Sequence, residues 1–312
     1  MNSENYAPIV LFIYNRAEHT QKTLEALAQN ILADKSDLYI FADGPKENAS
    51  EEQLLKIQKT REVAKAQKWC KEVTVIESEK NKGLAASIIS GVTDIIKKYG
   101  KIIVLEDDIV TGKYFLQFMN DALNKYINDK TVWHITGWRD PVKDTQNNSS
   151  FFYPIMDCWG WATWADRWQY YKKDTKYYIN IFNEKMKYHF NIEGTAGNFS
   201  QIEENDKGLI NTWAIFWYAT IFLNKGLCLA PTKSLVKNIG FDNSGVHCGD
   251  NEFQTIVDSI DNQITDFPSL VQLNKKEYKK NILFYTKMAN KTNLQRHIEY
   301  LKILIKALIR RK

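Results

Sequence analysis

Three consecutive carboxylates, Glu106-Asp107-Asp108, follow the apolar run Lys101–Leu105. Like charges this close repel one another, and a cation or a set of donors among them offsets the repulsion. A hard divalent ion accepts carboxylate and phosphate oxygens together and so neutralises charge that develops on a departing diphosphate. The plainer reading is that acids favour the N-terminus of the helix expected from Tyr114.

Further polar groups stand at comparable places. Asn15-Arg16 offers a guanidinium fork for phosphate or base oxygens, or a surface salt bridge with Glu18. Asp43-Gly44-Pro45 is made of turn residues, but Asp43 is also a carboxylate suited to accept a hydrogen bond from a nucleobase imino group. Asn81-Lys82-Gly83 precedes the helical stretch Leu84–Tyr99, whose exposed N–H groups favour an anion, although Walker spacing is absent. In Cys158-Trp159-Gly160-Trp161-Ala162-Thr163-Trp164 the tryptophans are either core or flat faces for a sugar ring. The glycine-punctuated stretch from Lys237 to Cys248 is either a connection or a lid over a ligand, with Asp242 a candidate base and His247 a candidate metal ligand.

Elements that could position these groups alternate through the first third. Apolar runs Pro8–Tyr14, Leu38–Ala42, Val73–Ile76 and Lys101–Leu105 are followed by helical patterns Thr20–Asn30, Glu51–Trp69, Leu84–Tyr99 and Tyr114–Tyr126. Such β-α alternation predicts a mostly parallel sheet with helices on both faces, and ligands then gather outside the carboxyl ends of the strands. Arg16, Asp43, Lys82 and the acidic triplet should therefore share one rim. Residues 131–245 lose this rhythm and carry eight of the nine tryptophans, which predicts a mixed sub-region folded against the sheet to complete a pocket. Residues 294–309 show helical apolar spacing, with Leu294, Ile298, Leu301, Ile305 and Leu308 on one stripe.

Composition narrows the classes. The 312 residues are 44% hydrophobic and 25% charged, enough for a large core. A net charge of +5 is spread among interleaved acids and bases, unlike a nucleic-acid-binding tract. The basic excess is sharpest at Lys302, Lys306, Arg310, Arg311 and Lys312, which suits the anionic inner leaflet of a membrane. Four scattered cysteines form no CxxC pair, and the first apolar run, Ile9–Ile13, is too short to be a signal h-region or to span a bilayer. A cytoplasmic protein, soluble or peripheral on the inner membrane, is expected.

Tyr14-Asn15-Arg16, Asp43-Gly44, Asn81-Lys82-Gly83-Leu84, Glu106-Asp107-Asp108, Trp159-Gly160-Trp161 and the loop from Asn238 to His247, in this order, resemble bacterial GT-A-fold sugar transferases of the family-2-like, EDD type. These are similar in turn to the eukaryotic N-acetylglucosaminyltransferase that starts complex N-glycans. The likeness covers about residues 7 to 250. It implies an inverting transferase that binds a UDP-sugar with Mn2+. It places Tyr14, Asn15, Lys82 and Gly83 around the donor, Arg16 and Asp43 on the uridine, Glu106 and Asp107 on the ribose and sugar, and Asp108 on the metal. Where the eukaryotic enzyme carries its base in a Trp-Asp-Asp-Trp segment, this chain reads Asn211-Thr212-Trp213-Ala214, without a carboxylate. Asp242 is then the first candidate base, with Asp206 or Glu204 next, because the acceptor hydroxyl must lose a proton as it attacks.

The expectation is an α/β protein of GT-A (nucleotide-diphospho-sugar transferase) fold. Its catalytic domain would span 1–265, with a donor half to about 130 and an acceptor half beyond, and a C-terminal helical extension over 266–312. It would move a hexosyl or N-acetylhexosaminyl group from a UDP-sugar to a hydroxyl of a bacterial surface polysaccharide or lipopolysaccharide. Trp159 and Trp161 would shape the acceptor side, and 294–312 would meet the membrane. The rivals are a sugar nucleotidyltransferase, whose glycine-rich basic loop after the first strand is missing at Tyr14-Asn15-Arg16-Ala17, and a non-catalytic glycan-binding protein whose carboxylates hold calcium.

Overall fold

The computed structural model describes residues 6–142, 147–242 and 259–290. Its strands are β1 (Ile9–Ile13), β2 (Asp37–Ala42), β3 (Glu72–Glu77), β4 (Lys101–Glu106), β5 (Ile109–Thr111), β6 (Val132–Thr136), β7 (Ser150–Tyr153), β8 (Trp161–Trp164), β9 (Leu227–Pro231) and β10 (Val236–Asn238). The helices are α1 (Ala17–Ala28), α2 (Glu51–Lys65), α3 (Leu84–Tyr99), α4 (Phe115–Lys125), α5 (Ala165–Trp168), α6 (Thr175–Ile181), α7 (Glu184–Phe190), α8 (Asn198–Asp206) and α9 (Ala214–Leu223). Residues 275–290 form a further helix.

Eight strands make one sheet in the order β3-β2-β1-β4-β8-β6-β9-β7. The pairs β3-β2, β2-β1 and β1-β4 are parallel, as the β-α alternation requires. Beyond β4 the pairings are mixed: β8 runs antiparallel to β4 and β6, β9 parallel to β6, and β7 antiparallel to β9. The tryptophan-rich middle of the chain therefore extends the sheet itself, as well as supplying helices against it.

The central strand explains the layering. β1 reads Ile-Val-Leu-Phe-Ile and is buried on both faces. Ile9, Leu11 and Ile13 pack with Leu24 and Leu27 of α1 and with α4; Val10 and Phe12 pack with Ala85, Ile88 and Val92 of α3. Each such side chain stabilises the fold by roughly 1.5–3 kcal/mol when taken fully out of water, and only a doubly covered strand can be apolar at every position.

Register sets the rim. Ile13 lies opposite Ala42, Ala42 opposite Glu77, and Phe12 opposite Glu106. The four parallel strands thus end level, and the segments after them open on one edge. The chain passes outward from β1 to β2 on one side and reaches β4 on the other, so the switch point falls between β1 and β4, between Arg16 and the acidic triplet.

Residues 266–290 are joined to this body. Asp266 and Leu273 bridge Ser149 and Phe152, and buried Arg139 donates to Glu277 (2.6 Å) and to Asn281, whose amide donates to Asp140 (2.6 Å). Residues 294–312 lie outside the described residues. No described helix is long and apolar enough to cross a membrane.

Candidate functional site

Asp43, at the end of β2, is buried and fully engaged. Its Oδ1 accepts from the backbone N–H of Gly44 (2.9 Å) and Lys82 (2.9 Å), and its Oδ2 from Gly83 N–H (3.0 Å) and Asn81 Nδ2 (3.1 Å). Four donors occupy the roughly four lone-pair positions of a carboxylate. Asp43 thereby fastens the loop that enters α3. Gly44 permits the closeness, since a β-carbon there would stand 2.5–2.7 Å from backbone atoms of Lys80. Gly83, the residue before α3, has φ +75°, a conformation that L side chains rarely adopt. Exposed Lys82 meets Asp43 through its backbone alone, and Tyr14 lies near enough to Asp43 for that charge, after burial, to raise its phenol.

The acidic triplet divides in two. β4 ends at Glu106, and Asp107 and Asp108 form the turn that leads into β5. Glu106 and Asp108 line one cavity, while Arg16 is shared by Asp107 and Asp108. Arg16 Nη2 donates to Asp107 Oδ1 and to Asp108 Oδ2 (2.9 Å), and Arg16 Nε to Asp107 Oδ2 (3.2 Å). Thr23 Oγ1 of α1 caps the Asp107 carbonyl (2.9 Å). Arg16 and Asp107 neutralise each other, and Asp108 shares the same guanidinium. Burial alone would lower the Arg16 guanidinium, and the two aspartates more than offset it. Glu106 is pushed up to about 8 by burial, then by Asp108 and Asp107.

The cavity holds about 450 Å³ and is walled by Leu84 at the start of α3, Glu106, Asp108, Trp159, Gln201 and Glu204 of α8, the 210–214 segment and Asn238. Its wall carries three carboxylates and, among the described residues, no lysine, arginine or histidine. Such a site repels a diphosphate unless a cation accompanies it. Glu106 and Asp108 suit a hard cation, which takes oxygen ligands. Among the described residues no three or more His, Cys, Asp or Glu are grouped so as to hold a metal ion, so a cation held by Glu106 and Asp108 would take its other ligands from substrate and water.

The chain returns over the triplet through β10, which pairs antiparallel with β5. Ile239 N–H donates to the Asp108 carbonyl (2.9 Å), and Gly240 N–H to Asn238 Oδ1 (2.7 Å). Asp242, half exposed, reaches His19 of α1 (3.1 Å) and does not line the cavity. Asp206 accepts from Thr175 (2.7 Å) and Lys176 (2.9 Å) on α6, which hold it below the usual carboxylate range. The carboxylates of both Asp242 and Asp206 serve other pairs, and neither lines the cavity. His247 lies outside the described residues.

The two tryptophans part company. Trp159 is partly buried on the cavity wall, its ring edge-on to Trp138 (4.4 Å) and Phe241 (5.6 Å). Trp161 is 0% exposed, stacked between His134 (5.5 Å) and Trp213 (5.2 Å), so it is core and not an acceptor platform. His134 is structural as well. Its Nδ1 accepts from Trp217 Nε1 (3.2 Å), which leaves Nε2–H to donate to the Asp157 carbonyl (2.8 Å), and burial lowers it to about 4.

Sequence reasoning passed over Gln201, Asn211 and Asn238. A signal existed for the first: Gln201 and Glu204 are three residues apart, one face of a helix whose Phe199 and Ile202 are buried.

No family model matches the chain, and no curated protein does. Among solved structures it is similar to a mannosyltransferase from Pyrobaculum calidifontis in complex with GDP-Man and Mn2+, at 10% identity over 71% of this chain and 70% of that one, with a TM-score of 0.38. It is similar to residues 1–349 of S. aureus TarS at 11% identity over 74% of this chain and 59% of that one, TM-score 0.41. It is also similar to the galactosyltransferase LgtC, in complex with donor and acceptor sugar analogs, at 10% identity over 69% and 70%, TM-score 0.35. Similarity this distant leaves the function to be argued from the site.

Proposed function

We propose that this chain is a glycosyltransferase of GT-A type, moving a sugar from a nucleoside-diphosphate donor to a hydroxyl. The carrying observation is the acidic cavity at the carboxyl end of β4, with Glu106 and Asp108 on its wall and no basic side chain among the described residues. Glu106 and Asp108 would hold a divalent ion, Mn2+ or Mg2+, which when bound offsets the charge of the departing diphosphate.

The chain's own residues supply the rest. Asp43 fixes Gly83, so that α3 starts on the cavity with its free N–H groups available to phosphate oxygens. Arg16 holds Asp107 and Asp108 in place, so the geometry exists before the donor arrives. Trp159, partly exposed, gives the wall an apolar surface suited to a sugar ring.

Within this reading the donor is a UDP-sugar, the reaction inverts, and the acceptor is a bacterial surface glycan, lipid-linked at the inner leaflet with 294–312 against the membrane. Residues 1–265 are the catalytic domain. Incubating the protein with UDP-, GDP- and CMP-sugars and Mn2+ tests it: one donor class should release its nucleotide. Failure of every nucleotide to raise the melting temperature would favour a glycan-binding protein instead.

A further inference from the structure

Of the three carboxylates on the cavity wall, Glu106 ends β4 and Asp108 follows it in the next turn, while Glu204 comes from α8. Glu204 makes no side-chain hydrogen bond or ion pair with any described residue. The neighbouring acids are committed: Asp107 and Asp108 to Arg16, Asp206 to Thr175 and Lys176, Asp242 to His19. Asn211 shares the wall, but an amide does not take up a proton.

The local chain holds Glu204 there. Asn205 Nδ2 donates to Thr212 Oγ1 (2.9 Å), Thr212 N–H donates back to Asn205 Oδ1 (3.0 Å), and Leu209 N–H donates to the Glu204 carbonyl (2.9 Å). These bonds lock the last turn of α8 to the 211–213 segment. Phe199 and Ile202 anchor its other face in the core.

We propose that Glu204 is the catalytic base of the transfer, a step that rests on the glycosyltransferase reading above. The acceptor O–H bond breaks and its proton passes to the Glu204 carboxylate. The oxygen forms a bond to the anomeric carbon, and the bond from that carbon to the diphosphate oxygen breaks, its electron pair leaving on the nucleoside diphosphate. Glu204 later releases the proton to water.

The test uses the full chain with Mn2+ and the UDP-, GDP- and CMP-sugar panel, water serving as the acceptor. E204Q should lower turnover by about 10²–10⁴-fold while leaving affinity for the matching nucleoside diphosphate unchanged. In E204A, sodium azide, a nucleophile that needs no deprotonation, should restore turnover and yield a glycosyl azide. E204Q turning over like wild type, nucleotide affinity falling in step with turnover, or no azide rescue would each overturn the assignment. A wild type that cleaves no donor sinks the glycosyltransferase reading and the base with it, an outcome read without any variant.

Discussion

Gly240 passes so close to Asp108 that a β-carbon at position 240 would stand 2.2 Å from Asp108 Oδ2 and 3.1 Å from Arg16 Nη1. The loop after β10 and the acidic triplet after β4 are therefore one fitted unit, although about 130 residues of chain separate them. Gly240→Ala must displace the Asp108 carboxylate or the loop. Overpacking of this kind costs about 1–3 kcal/mol. Manganese-dependent binding of nucleoside diphosphate, followed by calorimetry, should weaken more than the small loss of melting temperature explains.

Arg16 is the counter-charge of the triplet. Arg16→Met leaves Asp107 and Asp108 without it, and breaking a buried pair costs about 3–5 kcal/mol. A divalent cation can take over part of that neutralisation. The melting temperature of the variant should fall well below wild type without metal and recover partly in MnCl2, whereas wild type gains less.

Asp43 accepts four hydrogen bonds, and Asp43→Asn turns one of its two accepting oxygens into a donor. Two N–H groups lose their acceptor, at about 1–3 kcal/mol for each buried group left unsatisfied. Urea denaturation should show the loss. Amide hydrogen exchange should speed up at Lys82 and Gly83, at the start of α3, while β1 stays protected.

Two buried groups oppose each other in pH dependence. His134 is lowered from 6.5 to about 4 by burial, so between those values the unfolded chain holds a proton that the native one lacks, and stability rises with pH. Its contribution across that window is about 3 kcal/mol. Asp157 is raised from 3.8 to about 7 by burial and then by Asp140, so from about 3.8 to 7 the native state holds the extra proton and stability falls as pH rises. Relative to wild type, Asp157→Asn should therefore gain stability as pH rises from 4 to 7, and His134→Asn should lose it. Denaturation series at fixed pH values separate the two.

How much of this was legible follows from which interactions are local. The parallel half was readable because each apolar run and helical pattern lies within one stretch of chain, and level strand ends follow from their pairing. The sharing of Glu106, Asp107 and Asp108 between the cavity and Arg16 was not readable, because β4 ends at Glu106 and the two aspartates form a turn. Trp159 and Trp161 were not separable: Gly160 has φ +63°, outside strand geometry, so alternation does not carry across it. The saturation of Asp43 depends on donors 38 to 40 residues away. The pairing of Asp242 with His19 and of Asp206 with α6 depends on tertiary packing in the same way. In the mixed half, β6 to β9 are only four or five residues long, too short for period alone to distinguish from buried helix.

The central claim is that Glu106 and Asp108 act through a divalent ion on a nucleotide-sugar donor. Release of nucleoside diphosphate from the UDP-, GDP- and CMP-sugar panel, measured with Mn2+, with EDTA and with Asp108→Asn, tests it most directly. Release is expected from one donor class, lost in EDTA, restored by adding Mn2+ back, and absent in the variant. Release that persists in EDTA, or an Asp108→Asn protein as active as wild type, would contradict it.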